Sequence, residues 1–82
     1  MDLRIAANAI AETLAEVGEA PECILYAGLM TKGGSLGEFQ AVKTFLLVVG
    51  LAIEAPGSML VATARLQHLY KAAMEKRRAE AV

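Results

Sequence analysis

Residues Gly33–Thr63 read GGSLGEFQAVKTFLLVVGLAIEAPGSMLVAT, and the punctuation of this stretch decides the fold. Gly33-Gly34 makes a break. Ser35-Leu36-Gly37-Glu38 has the spacing of a capping box, in which the Ser hydroxyl accepts an orphan helix N–H and the Glu carboxylate reaches back. An apolar helix over about 36–49 follows and stops at Gly50, a natural residue just past a helix end. Leu51–Ala55 and Met59–Ala62 are short apolar runs around the turn signal Pro56-Gly57-Ser58. Thr63 is placed to cap a last helix. The expected class is mostly α with a small β-hairpin. The alternative, helix on both sides of a Pro-Gly break, gives an all-α four-helix bundle. Ala52, Ala55 and Ala62 leave it open, because alanine is a poor strand former.

Two helices are expected before this stretch and one after it. Asp2 can cap helix 1, whose Leu3, Ala6, Ile10, Leu14 and Val17 repeat at helical spacing as one buried stripe, ended by Gly18. Helix 2 starts near Pro21, suited to the first helical position, and Ile24, Leu25, Gly28 and Leu29 can face inward. In helix 3 the core stripe is Leu36, Phe39, Val42, Phe45 or Leu46, and Val49. Its outward face turns apolar at Leu47 and Val48, which calls for deep burial or another chain. Helix 4, about 64–79, shows a stripe of Leu66, Leu69 and Ala73, widened by Tyr70 and Met74.

At 82 residues the chain is one domain, 1–82. A chain of this size buries only roughly 60–65% of its unfolded surface, so its core is thin and a partner chain is a natural supplement. The formal net charge of −1 hides an asymmetry. Asp2, Glu12, Glu16, Glu19 and Glu22 stand against Arg4 in the first 22 residues. Arg65, Lys71, Lys76, Arg77 and Arg78 stand against Glu75 and Glu80 in the last 22. The plain expectation is that the acidic first helix and the basic last one lie side by side, in one chain or across a dimer. The longest charge-free apolar stretch, Thr44 to Ile53, is far short of the roughly 20 residues of a membrane span. The N-terminal residues mix Asp2, Arg4 and Glu with Ala, unlike a signal peptide. A cytoplasmic protein with no membrane contact is expected.

The segment Pro21–Thr63 resembles the winged helix-turn-helix superfamily, and most of all its small MarR-type regulator domains. The carrying residues are Ile24-Leu25-Tyr26-Ala27-Gly28-Leu29-Met30, Ser35-Leu36-Gly37-Glu38-Phe39, Leu46-Leu47-Val48-Val49-Gly50-Leu51-Ala52-Ile53-Glu54, Pro56-Gly57 and Val61-Ala62-Thr63. The resemblance implies four helices plus a short wing, with helix 3 as a recognition helix entering a duplex DNA major groove. It implies a transcriptional-regulator-like protein whose DNA-binding residues are Lys32, Ser35, Gln40, Lys43 and Thr44. It also implies a homodimer through the terminal helices. Leu47, Val48, Leu66, Leu69, Tyr70 and Met74 are the expected dimer interface.

A second function is carried by the charges. Helix 3 has Lys43 as its one cation and also carries Glu38, and the wing tip Glu54-Ala55-Pro56-Gly57-Ser58 has no Lys or Arg. Phosphate neutralisation dominates non-specific DNA affinity and needs several cations on one face. The alternative is a winged-helix interaction or dimerisation domain that meets protein, through the apolar surface at Leu47 and Val48.

The remaining chemistry-bearing residues have plain readings. Lone His68 is structural, Cys23 is a small buried hydrophobe, and Met30, Met59 and Met74 fill core. Gly33-Gly34-Ser35 is a turn and a cap without the spacing of a phosphate loop. Lys76-Arg77-Arg78 suits a helix C-terminus. No enzymatic activity, cofactor or metal is expected.

Overall fold

The computed structural model describes residues 2–81. Its elements run α1 (Leu3–Val17), β1 (Glu19–Pro21), α2 (Glu22–Thr31), α3 (Leu36–Val48), β2 (Ala52–Ala55), β3 (Met59–Ala62) and α4 (Ala64–Ala81). The chain is mostly helical with a small three-stranded antiparallel sheet, consistent with a winged-helix-like layout.

Local chemistry sets the helix ends. The Asp2 carboxylate accepts the Arg4 N–H at 2.8 Å and starts α1. Gly18 ends it at φ +85°, a left-handed conformation that suits glycine. The capping box of α3 is fully formed: the Glu38 N–H donates to Ser35 Oγ at 3.2 Å, and the Ser35 N–H donates to Glu38 Oε1 at 2.9 Å. Gly50, at φ +78°, follows the last residue of α3's cap.

The ladder excludes the all-α bundle. Ala52 pairs with Ala62, Ile53 with Val61, Glu54 with Leu60 and Ala55 with Met59, leaving Pro56-Gly57-Ser58 as the turn. The third strand, β1, has little local signature, since Glu and Pro are poor strand residues. It forms because Gly18 turns the chain alongside β3. The Gly18 carbonyl accepts the Ala62 N–H at 2.8 Å, and the Ser58 carbonyl accepts the Glu22 N–H at 2.9 Å. Pro21 is tolerated there because β1 is an edge, in the order β1-β3-β2. Pro21 therefore closes the strand and stands just before α2, which begins at Glu22, one residue later than expected.

One core joins all layers. Ala6, Ile10 and Leu14 of α1 meet Leu25 and Leu29 of α2 and Phe39, Val42 and Leu46 of α3. Ala20, Ala52 and Leu60 bring in the sheet, and Leu66 brings in α4. Several expected core residues lie outside it. Leu3, Val17, Ile24, Leu36, Phe45, Leu69 and Met30 are each half or more exposed. Cys23 is exposed as well, against the expectation of burial. The reason is geometric: these helices are apolar over more than one face, and a single small sheet covers only part of that surface.

The acidic and basic ends pair within one chain. The Tyr70 hydroxyl donates to Glu16 Oε1 at 2.9 Å, and Arg77 Nη2 donates to Glu12 Oε1 at 2.5 Å. The charge asymmetry thus lays α4 along α1 of the same molecule.

Candidate functional site

Helix α3 and the wing form the surface to which sequence assigned function. The exposed face of α3 is built from Gly37, Gln40, Ala41, Thr44, Phe45 and Val48. None of these six is charged. Val48 is 79% exposed and Phe45 51%, so large apolar groups stand in solvent on a helix whose opposite side is core.

Lys43, the one cation of α3, is held at the edge of this face. Its Nζ lies 2.6 Å from Glu22 Oε1 and 2.8 Å from Glu54 Oε1. The hydrogen bond to Glu22, and then that to Glu54, hold the ammonium above its usual range against a small opposing effect of burial. Glu22 opens α2 and Glu54 lies in β2, so one ammonium ties together the first turn of α2, the middle of α3 and the wing. Sequence reasoning treated Lys43 as a free DNA contact. The structure gives it two carboxylate partners 21 and 11 positions away in sequence. The available signal was Glu54 in the wing, a lone acid placed to return to a lone base.

The other expected DNA contacts are spread out. Gln40 and Thr44 are exposed on the outer face of α3, and Lys32 is exposed in the turn before it. The Ser35 hydroxyl is engaged in the cap of α3. Arg65, at the other end of α3, donates from Nη1 to the Val49 carbonyl at 3.1 Å, while Thr63 Oγ1 donates to the Gly50 carbonyl at 2.7 Å. These two side chains satisfy carbonyls at the C-terminal end of α3, where a cation is also favoured by the helix dipole.

The residues expected at a dimer interface divide. Leu66 is 4% exposed and belongs to the core of its own chain, so it has no surface to give a partner. Leu47 and Tyr70 are partly buried against that core. Met74 is partly buried, whereas Leu69 and Val48 are open to solvent.

A feature that sequence reasoning missed lies between α1 and α3. Leu3, Ala7, Ala41, Val42 and Phe45 line a shallow apolar groove of about 360 Å³, with Arg4 and Asn8 also on its lining. The two alanines keep it open, because larger side chains at these positions would fill it. Phe45 was the unresolved choice beside Leu46 in the core stripe. Leu46 enters the core, and Phe45 turns to the groove.

No protein-family model, curated protein or solved structure matches the chain. Among the described residues no helix is long and apolar enough to cross a membrane.

Proposed function

We propose that this chain is a winged-helix-like interaction domain that meets protein, not DNA, through the outer face of α3. The observation that carries the reading is the locking of Lys43 between Glu22 and Glu54. It neutralises the one cation of the helix that would enter a major groove. The wing adds no compensating charge, since Glu54 is its one ionisable residue. A phosphate backbone approaching α3 would meet an uncharged helix face with Lys32 before it and Arg65 at its far end, and DNA affinity rests on several cations that displace condensed counterions.

The same face suits a protein. Depletion of charge with exposed apolar and aromatic groups is the composition of an interface core. Phe45 and Val48 supply the apolar anchors and Gln40 and Thr44 the polar contacts. The exposed, unpaired Cys23 accords with a reducing, cytoplasmic setting.

Fluorescence anisotropy with a labelled mixed-sequence duplex tests the reading. No saturable binding is expected at low ionic strength. Binding that weakens steeply as salt rises, and that Lys43→Ala or Gln40→Ala reduces, would overturn it in favour of a DNA-binding regulator.

A further inference from the structure

The groove between α1 and α3 differs from the other grooves between helices in its charge. In the groove between α2 and α3, Glu22 and Lys43 lie on the lining and pair with each other. In the groove between α1 and α4, Glu12 and Arg77 do the same. The α1–α3 groove has Leu3, Ala7, Ala41 and Phe45 among its apolar walls, and Arg4 is its one ionisable residue. Among the described residues, no carboxylate lies within ion-pair distance of the Arg4 guanidinium. Asp2, the nearest acid in sequence, accepts the Arg4 backbone N–H at 2.8 Å and is not on the lining. Asn8, four residues on and so on the same side of α1, adds an amide donor.

We infer that this groove binds a medium-chain aliphatic carboxylate, its head on Arg4 and Asn8 and its tail against Ala7, Ala41 and Phe45. The groove, of about 360 Å³, falls within the range of small-molecule sites. The α1–α2 groove, whose lining cation is Lys32, offers about 190 Å³ and falls below it. The class of ligand follows from the lining. One cation with no acid near it complements one negative charge, and an amide N–H donates to the second oxygen of a carboxylate. No other lining side chain is polar, so the rest of the ligand is hydrocarbon. Ala7 on one wall and Ala41 on the other leave room for it. Leu3 to Asn8 covers about 7.5 Å of α1 at 1.5 Å per residue, which limits the tail to medium length. Binding of such a ligand is independent of whether the outer face of α3 meets protein.

Nitrogen–proton correlation NMR of the full chain, titrated with sodium octanoate, tests the site. Saturable shifts are expected at the amides of Arg4, Ala7, Asn8, Ala41 and Phe45. Half-saturation is expected on the order of 1 mM, as suits a small ligand held in an open groove. Octyltrimethylammonium carries the same tail with the opposite charge and should bind about threefold more weakly. Arg4→Glu should weaken octanoate by about fivefold and reverse that preference. Ala41→Leu fills the groove and should weaken both ligands by about tenfold or more. Ala41 is exposed, so this variant keeps its fold, as circular dichroism would verify. Ala73→Leu, in the α1–α4 groove, should leave octanoate binding unchanged.

The absence of saturable shifts up to about 10 mM octanoate, tenfold above the expected half-saturation, overturns the inference. So does equal binding of the two ligands, an Arg4→Glu protein that keeps the wild-type preference, or an Ala41→Leu protein that binds like wild type. An Ala73→Leu protein weakened as much as Ala41→Leu overturns it too. A chain that takes octanoate and also binds DNA in a salt-dependent way loses only the protein-facing reading, whereas one that ignores both loses only the ligand of the groove.

Discussion

The ammonium of Lys43, midway along α3, lies 2.8 Å from the carboxylate of Glu54 in β2. With Glu22 as its second partner, it fixes the wing against the helix. These two ion pairs tie α2, α3 and the sheet together and give the one cation of α3 two carboxylate partners.

Replacing Lys43 by Met should destabilise the fold by about 0.5–1 kcal/mol, the range for exposed and partly exposed ion pairs, because Glu22 and Glu54 are left without their shared cation. Urea denaturation of the two proteins measures this. The pH dependence has a defined sign. The folded pKa of Lys43 is raised above its ordinary 10.5, so its contribution is complete below that value and is lost as pH rises through the folded pKa. The wild type should therefore lose stability above about pH 10.5 more steeply than Lys43→Met.

Two glycines are expected to respond oppositely to alanine. A methyl group at Gly34 would overlap the side chain of Leu29, which is buried in the core. Gly34→Ala should cost about 1–3 kcal/mol as Leu29 is forced aside. Gly28 sits in the exposed interior of α2 with open space around it, so Gly28→Ala should stabilise by about 0.5–1 kcal/mol through helix propensity. Thermal melts of both variants beside wild type read the difference directly.

Thr63 joins three elements. Its hydroxyl donates to the Gly50 carbonyl at 2.7 Å and accepts the Leu66 N–H at 3.4 Å. Thr63→Val keeps the shape and removes both bonds. A loss of about 1–2 kcal/mol is expected, from a lost cap and a lost hydrogen bond to the Gly50 carbonyl. Chemical denaturation checks it, and Thr63→Ser should restore most of the stability.

Beyond Leu66, the polar contacts between α4 and α1 are Tyr70–Glu16 and Arg77–Glu12, both exposed to solvent. Salt screens such contacts. Amide exchange in residues 71–81 should quicken between low and high salt, and quicken already at low salt in a Tyr70→Phe/Arg77→Gln protein. Exchange in residues 64–68 should change little, because Thr63 and Leu66 anchor that end. Hydrogen exchange resolved by residue separates the two ends of the helix.

What could be read from sequence was the local chemistry. Ser35 and Glu38 form a capping box within four residues, Gly18 and Gly50 take left-handed conformations, and Pro56-Gly57 makes a turn between adjacent strands. Each depends on neighbours in the chain. Glu19-Ala20-Pro21 could not be recognised as a strand, because its pairing with Met59-Leu60-Val61 is imposed by the path of the chain and not by its own residues. Phe45 and Leu46 could not be separated by periodicity, because α3 is apolar on several faces, and only packing against α1 decides which one is core. The partners of Lys43 were hidden for the same reason: both are distant in sequence, and the ion pairs exist only once α2, α3 and β2 have docked.

The most direct measurement of the central claim is a nitrogen–proton correlation NMR titration with a short mixed-sequence DNA duplex at low ionic strength. The amide resonances of Ser35, Gln40, Lys43 and Thr44 are expected to stay in place as duplex is added. Saturable shifts concentrated at these four residues and at the wing, reversed by added salt, would contradict the claim.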